Sequence, residues 1–258
     1  MILQARQART ANRFAPRQQR STFAGGQIRW YFSPLILLWL DAASNPVPYG
    51  TAVGAWSDLI GSANATQALS SKQPLHASKD NIPSMQFDGV NDCLVTPSTT
   101  WNDQAVSVYT VRWLTDSTNK NLFERSTDFN YTQQGFVVYG RSTEAGLALQ
   151  GNAGYSGASQ ASAQNRWLCN ASIFDKAAPA VSELASYQNG VSVTLTPWST
   201  ANNTGTFGSL QNYIGSRNNG AAFAVNGWLS SVLVLRGASA ARQAFDLSIL
   251  LSQRAGIA

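Results

Sequence analysis

From residue 35 onward the chain alternates between short runs rich in Val, Ile, Tyr, Phe, Trp and Thr and clusters of Gly, Asn, Ser and Pro. Apolar runs of about four to eight residues, closed by turn formers, read as β-strands rather than helices. The pattern predicts strands over 35–40, 85–87, 93–96, 106–114, 121–126, 135–139, 147–150, 166–174, 183–188, 191–195, 212–214 and 221–235. Asn189-Gly190, between two such runs, is a hairpin signal, because both central positions of the tight turn need positive φ. One segment carries a helical period instead. Ala241, Phe245, Leu247, Ile249, Leu250 and Leu251 fall within 240–254, with Ser239 placed to cap the start and Gly256 to cap the end. A shorter helical turn is expected over 56–60. The expected fold is all-β: a two-sheet antiparallel β-sandwich of jelly-roll, concanavalin A-like type with one C-terminal α-helix.

Residues 1–33 have a different texture, dominated by Arg, Gln, Ala, Thr and Ser. A segment with so few aliphatic residues cannot bury a core of its own. The chain therefore divides into an extended basic N-terminal arm, 1–33, and a sandwich domain, 34–258. Arg6, Arg9, Arg13, Arg17 and Arg20 recur at steps of three and four, which would align them on one helix face, although Pro16 would strain that helix.

Charge sharpens this division. The net charge is +5, but six of the 18 basic residues, the five above and Arg29, precede the first acid, Asp41. The body is left with 12 basic and 13 acidic residues and is close to neutral. Charged residues make up 12% of the chain against roughly 25% in an average protein. The polar surface must consist mainly of Ser, Thr, Asn, Gln and Gly, which suits a β protein that meets glycans or other proteins.

Candidate chemistry is sparse. The two cysteines, Cys93 and Cys169, lie in strand-like runs and are either buried thiols or one bridge. The single histidine, His76, offers no metal-ligand spacing and is expected on a surface loop near Pro74. No cofactor is expected. The apolar run 35–40 behind a basic start imitates a signal peptide, but it is shorter than the ~7–15 residues of an h-region, and its basic flank is too long. No run approaches the ~20 apolar residues of a membrane span, so neither a signal peptide nor membrane insertion is expected.

At this point the residues resemble a known family, the concanavalin A-like lectin/glucanase superfamily in its laminin-G-like members. The resemblance rests on an ordered series: Leu37-Leu38-Trp39-Leu40-Asp41-Ala42, then Val53-Gly54-Ala55-Trp56-Ser57-Asp58-Leu59, Asn64-Ala65-Thr66-Gln67 and Gln73-Pro74-Leu75. Met85-Gln86-Phe87-Asp88-Gly89-Val90-Asn91-Asp92-Cys93-Leu94 follows, and later Tyr213-Ile214-Gly215 and Asn226-Gly227-Trp228-Leu229. Cys93 stands where the family often has an aromatic residue. Asp88-Gly89 allows a tight turn between paired strands, since Gly takes positive φ without penalty. Asp92 either bonds local backbone or, with Asp88, holds calcium, as some laminin-G-like domains do; that ion wants ~6–8 oxygens.

The superfamily includes glycoside hydrolases, which resemble one another in a strand bearing Glu-x-Asp-x-Glu. Such spacing suits two carboxylates ~5–5.5 Å apart on one sheet face. This chain has only Glu124, Glu144 and Glu183, none with an acid two residues away. Glu124 and Asp128 share parity but would stand ~13 Å apart on a strand. The chain is expected not to be an enzyme.

Domains resembling this one occur on bacterial surface proteins and on virions of tailed phages. The resemblance, the absence of a signal peptide and the basic arm together imply a virion structural protein, tail-fibre-like or a head decoration, assembled in the host cytoplasm. The arm, through Arg6, Arg9, Arg13, Arg17, Arg20 and Arg29, would dock on other virion proteins by charge-assisted pairs. Its interleaved residues are not the aromatics that would accompany nucleic-acid binding, so phosphate contact is the weaker reading beside a merely solvated tail. The sandwich would face outward, as a homo-oligomer within the particle, and grip host glycans. Tyr155, Trp198, Asn202, Asn203, Arg217 and Asn218 are candidate sugar-binding loop residues, by stacking and amide hydrogen bonds; the competing reading makes Trp198 a core residue and the Asn turn formers. Alternative functions are a capsid cement protein with no glycan site and an extracellular carbohydrate-binding module of a bacterial protein.

Deleting residues 2–33 is expected to leave the sandwich with an unchanged thermal transition and to abolish attachment to the particle, measured by co-sedimentation. Retained attachment would sink the docking role of the arm.

Overall fold

The computed structural model describes residues 35–115, 118–130, 134–141 and 144–257. The basic arm and its six arginines lie outside the described residues. In chain order the strands begin β1 (Ile36–Asp41), β2 (Ala55–Trp56), β3 (Ala65–Thr66), β4 (Leu75–Lys79), β5 (Ile82–Asp88), β6 (Leu94–Val95), β7 (Thr99–Trp101), β8 (Ala105–Leu114) and β9 (Lys120–Arg125). They continue with β10 (Phe136–Arg141), β11 (Glu144–Gln150), β12 (Tyr155–Ala161), β13 (Leu168–Asp175), β14 (Leu184–Gln188), β15 (Val191–Ser192), β16 (Thr196–Ser199), β17 (Gly208–Leu210), β18 (Asn212–Ile214) and β19 (Asn226–Arg236). Helix α1 (Ala241–Ala255) closes the fold.

Two antiparallel sheets face each other. The first runs β15-β14-β13-β8-β19-β5-β4, and the second β16-β12-β11-β10-β9-β18-β6-β3-β2. The long β19 is the organising strand of the first sheet. One edge pairs with β8 throughout; the other pairs with β5 over its first half and β1 over its second. Alternation decides what goes where. On β8, Val106, Val108 and Leu114 enter the core between the sheets, whereas Tyr109 and Val111 pack outward under α1. A strand buried on both faces reads as a near-continuous apolar run, as 106–114 does. Helix α1 buries Ala244, Leu247, Ser248, Leu251 and Ala255, a helical stripe, against that outer face. Gly256 ends it in the left-handed conformation at φ 83°, as expected. Arg254 in its last turn is bonded to the buried Asp41 and donates to Ser44 Oγ at 2.7 Å.

Several expectations are corrected. Ser239 does not cap α1: the N-cap is Ala240 with no side-chain bond, and the Ser239 backbone N–H donates to Ser107 Oγ. Residues 56–60 are not a helical turn. The Asp58 carboxylate accepts from the backbone N–H groups of Trp39, Ile60, Gly61 and Ala63, and so ties that segment to β1 as a loop. His76 is not on a surface loop; it is a buried residue of β4, bonded through Nδ1 to the Val47 carbonyl and packed against the Tyr49 ring. The run 221–235 becomes strand only from Asn226, because Phe223 holds φ 55° and cannot join a ladder. The Asn189-Gly190 hairpin is present, with both residues at positive φ. Cys93 and Cys169 are free and buried, and burial pushes their thiols up to about 11 and about 12.

The Asp88-Gly89 turn is also present, with Gly89 at φ 83°, but it joins β5 of the first sheet to β6 of the second rather than two paired strands. Its carboxylates serve the turn. Asp88 Oδ1 accepts from Val90 and Asn91 N–H, and Asp92 Oδ2 accepts from Asp88 N–H at 2.9 Å. Burial pushes the Asp92 carboxyl up to about 6, with the Asp88 carboxylate adding to the effect.

The ribbon β7–β17 covers one end of the core and is clamped by Arg125. The Arg125 guanidinium is buried, lies 3.7 Å from the Trp101 ring centre, and donates to the carbonyls of Thr99, Gly208 and Leu210 and to Asn212 Oδ1. Burial lowers its pKa to about 9.

Replacing Arg125 by Met would leave those buried acceptors without donors and is expected to cost about 3–5 kcal/mol in chemical denaturation; a loss under about 1 kcal/mol would show that the ribbon is held otherwise. For Asp92, the folded chain holds the proton more tightly than the unfolded chain. Its favourable contribution is therefore complete below about pH 4 and is lost as the pH rises through about 6. Asp92→Asn keeps an acceptor for Asp88 N–H. It is expected to match the parent near pH 3.5 and to be more stable at pH 7; parallel pH–stability curves would contradict this.

Candidate functional site

The outer face of the second sheet carries a second, smaller apolar cluster. On β10, Phe136 and Val138 point into the core, so Val137 and Tyr139 must point the other way. Val137 packs there with Phe129 and Ala148, bordered by Tyr139 and Tyr155. Above this floor opens a cavity of about 570 Å³, lined by Asn119, Asn121, Phe129, Asn130, Val137, Tyr139, Gln150, Tyr155, Trp198, Arg217 and Phe223. Aromatic rings and side-chain amides dominate the lining.

Two rings lie where a neighbouring strand has no side chain. Tyr139 stands opposite Gly146 on β11, and a Cβ there would fall 2.1 Å from the Tyr139 ring. A Cβ on Gly157 of β12 would fall 2.3 Å from the Trp198 indole. Both glycines are needed for space, not for an unusual φ. The rings meet at 5.9 Å between centres, and Phe129 meets Tyr155 edge-on at 5.8 Å. Burial raises the Tyr155 phenol above its usual range, with Trp198 and Arg217 opposing that shift.

A buried ion pair sets the charged side of the cavity. The register between β9 and β10 slips by one residue at Leu122, so that Asn121 pairs with Tyr139 while Phe123 pairs with Val138. Such a bulge puts two residues against one and turns the strand. Here it places Asn121 and Glu124 on the same outer face, although three positions separate them. Glu124 has no exposed surface. Its Oε1 accepts from Ser126 Oγ at 2.6 Å, and its Oε2 accepts from Asn121 Nδ2 and, at 2.8 Å, from Arg217 Nε. Burial raises its pKa, and Arg217 and Ser126 pull it back.

Arg217 reaches the cavity from a short hairpin. Its backbone pairs with Ala222, and Asn218, Asn219 and Gly220 turn the chain, all at positive φ. The guanidinium lies over Phe129 at 5.2 Å and over Phe223 at 4.8 Å. Phe223 holds its left-handed backbone while its carbonyl accepts from Asn121 N–H at 2.9 Å. A bulky residue rarely adopts that conformation, and such strain concentrates at functional positions.

Of the residues singled out from sequence, the structure brings Tyr155, Trp198 and Arg217 together around the cavity. It does not bring the three asparagines there. Asn203 is buried and bonded to Glu183, Ser156 and Ala153 N–H, where it pins a loop. Asn202 is exposed beside it, and Asn218 is a turn former. Asp88 and Asp92 do not line the cavity. Sequence reasoning missed Phe129, Tyr139 and Phe223 and the amides of Asn119, Asn121, Asn130 and Gln150. Tyr139 alone left a signal, since its parity opposes that of Phe136 and Val138.

No family model matches the chain, and a search of curated proteins finds no match. Solved structures do resemble it. The sialidase of Trypanosoma rangeli in complex with 2,3-difluorosialic acid superposes with a TM-score of 0.57 over 85% of this chain and 33% of that one, at 13% identity. The receptor-binding domain of botulinum neurotoxin type G gives 0.52 over 84% of this chain and 51% of that one, at 8% identity. The CBM40 domain of the Ruminococcus gnavus IT-sialidase gives 0.44 over 57% of this chain and 83% of that one, at 13% identity. The chain thus spans a third of the trypanosome sialidase and half of the toxin domain. At these identities the likeness to the first two is one of fold alone: a two-sheet antiparallel β-sandwich of jelly-roll type.

Proposed function

We propose that this protein is a non-catalytic glycan-binding protein whose outer-face cavity receives a sugar. The observation that carries the reading is the composition of that cavity. Sugars present C–H faces that pack on aromatic rings and hydroxyls that bond to amides. Tyr139, Tyr155 and Trp198 supply the rings; Asn119, Asn121, Asn130 and Gln150 supply the amides. The rings are fixed by packing and by the glycines beneath Tyr139 and Trp198, so little freedom is lost on binding. Among the solved neighbours, one is by name a receptor-binding domain and another holds a sialic-acid derivative. These neighbours lend the fold to this reading and leave its ligand to be tested.

Binding without catalysis is the reading the carboxylates support. Both oxygens of Glu124 accept hydrogen bonds inside the protein. Those of Glu183 do the same, from Ser156 Oγ and from the backbone and side chain of Asn203. A general acid needs a proton within reach of the substrate, and neither carboxylate lines the cavity.

The arm places this binding domain in our proposal. Its basic, apolar-poor sequence is suited to docking on acidic protein surfaces, and we assign the chain to a virion, as a tail-fibre-like or head-decoration appendage that displays a laminin-G-like sandwich toward host glycans. A bacterial extracellular carbohydrate-binding module would use the same cavity, and finding the chain in purified particles or free in the medium separates the two.

A glycan array probed with the full chain is expected to give a defined set of ligands. Trp198→Ala is expected to weaken them by about tenfold or more without moving the thermal transition. Array silence, or binding indifferent to Trp198, would overturn the assignment of the cavity.

A further inference from the structure

We infer that the sugar received by this cavity carries a carboxylate, and that Arg217 takes it through the two terminal nitrogens of its guanidinium; the inference rests on the glycan-binding reading above. Arg217 is the one charged residue among the described cavity-lining residues. Its Nε is already committed to Glu124, while Nη1 and Nη2 have no acceptor among the described residues. Two rings, Phe129 and Phe223, lie against the guanidinium. Its side chain keeps 14% of its surface exposed, whereas that of Glu124 keeps none. The pair thus presents its cationic member to the cavity and buries its anionic one.

That cation has a chemical preference. A planar guanidinium offers parallel N–H bonds that match the two oxygens of a carboxylate, and charge assistance makes such bonds roughly twice as strong as neutral ones. A sugar hydroxyl could satisfy only part of it. No Asp or Glu lines the described part of the cavity to repel an incoming anion. Asp128 is close enough to raise the pKa of Glu124, but it is not a lining residue. Tyr155 and Trp198 line the same cavity as Arg217, so one sugar can meet the guanidinium and an aromatic face at once. Two kinds of sugar carry such a group: a sialic-type acid, with the carboxylate on the anomeric carbon, and a hexuronic acid, with the carboxylate at the far end of the ring.

The test compares acidic oligosaccharides with their own uncharged forms. The full chain is titrated calorimetrically with a sialic acid-capped and a hexuronic acid-capped oligosaccharide, with the methyl ester of each, and with the neutral core. One acid is expected to bind at least about tenfold tighter than its ester, and which one does so identifies the source of the carboxylate. Arg217→Lys keeps a cation beside Glu124 but loses the fork, and is expected to remove most of that preference. Equal binding of acid and ester, or a preference that survives in Arg217→Lys, would overturn the carboxylate assignment. If neutral sugars still bind in a manner dependent on Trp198, the glycan-binding reading stands without it. If no sugar binds and Trp198→Ala changes nothing, both fall.

Discussion

The carboxylate of Glu124 has no contact with solvent, and burying an ion of that kind costs several kcal/mol unless donors surround it. The geometry of the cavity follows from how this cost is met. The bulge in β9 brings the Asn121 amide to the same face, Ser126 supplies a hydroxyl, and Arg217 supplies the opposite charge. With Nε held by Glu124, the guanidinium lies against Phe129 and Phe223. The hairpin with three successive left-handed residues, and the strained backbone of Phe223, are what the chain needs to carry Arg217 to that point. The pair is thus less a stabiliser of the sandwich than a fixture that aims one cation.

The sandwich supplies the rigid support. In the second sheet, β10 presents Phe136 to the core, where it packs with Phe174 and Phe207, and Val137 and Tyr139 to the cavity. The neighbouring residue of β9, Arg125, points the opposite way from Glu124 and clamps the β7–β17 ribbon over the core. Two consecutive charged residues are therefore buried on opposite faces of one strand, each satisfied by a different set of partners. Sites built on strands in this way hold their geometry better than sites built on free loops.

Much of the fold was legible in the sequence, because most strands bury at least one face and show it. β8 and β19 declare themselves by long apolar runs, and α1 by its stripe and its glycine cap. β12 was invisible. Its core face uses Ser156, Ala158 and Gln160, and its outer face includes the Gly157 that lies under Trp198, so no apolar alternation exists to read. The same cause hid half of the cavity. Tyr155, Trp198 and Arg217 could be suspected as isolated polar-tipped or aromatic residues in loops, but their meeting depends on β12 and β16 pairing and on a one-residue slip in β9. A bulge, a positive φ at Phe223 and a buried His76 have no local signature. They are set by tertiary partners, as are the loop at Asp58, bonded to Trp39 across the chain, and the missing cap at Ser239.

The basic arm is legible in the sequence and the cavity only in the structure, and the ligand is proposed to sit between Trp198 and Arg217. The most direct measurement follows the indole N–H signals of the labelled protein by NMR during titration with a bound oligosaccharide. Trp198 is half exposed in the cavity, whereas Trp39, Trp56 and Trp101 are buried in the sandwich. A saturable shift of the Trp198 indole and of the Arg217 Nε–H is expected, with the buried indoles unmoved. Saturable binding that leaves both signals in place would contradict it.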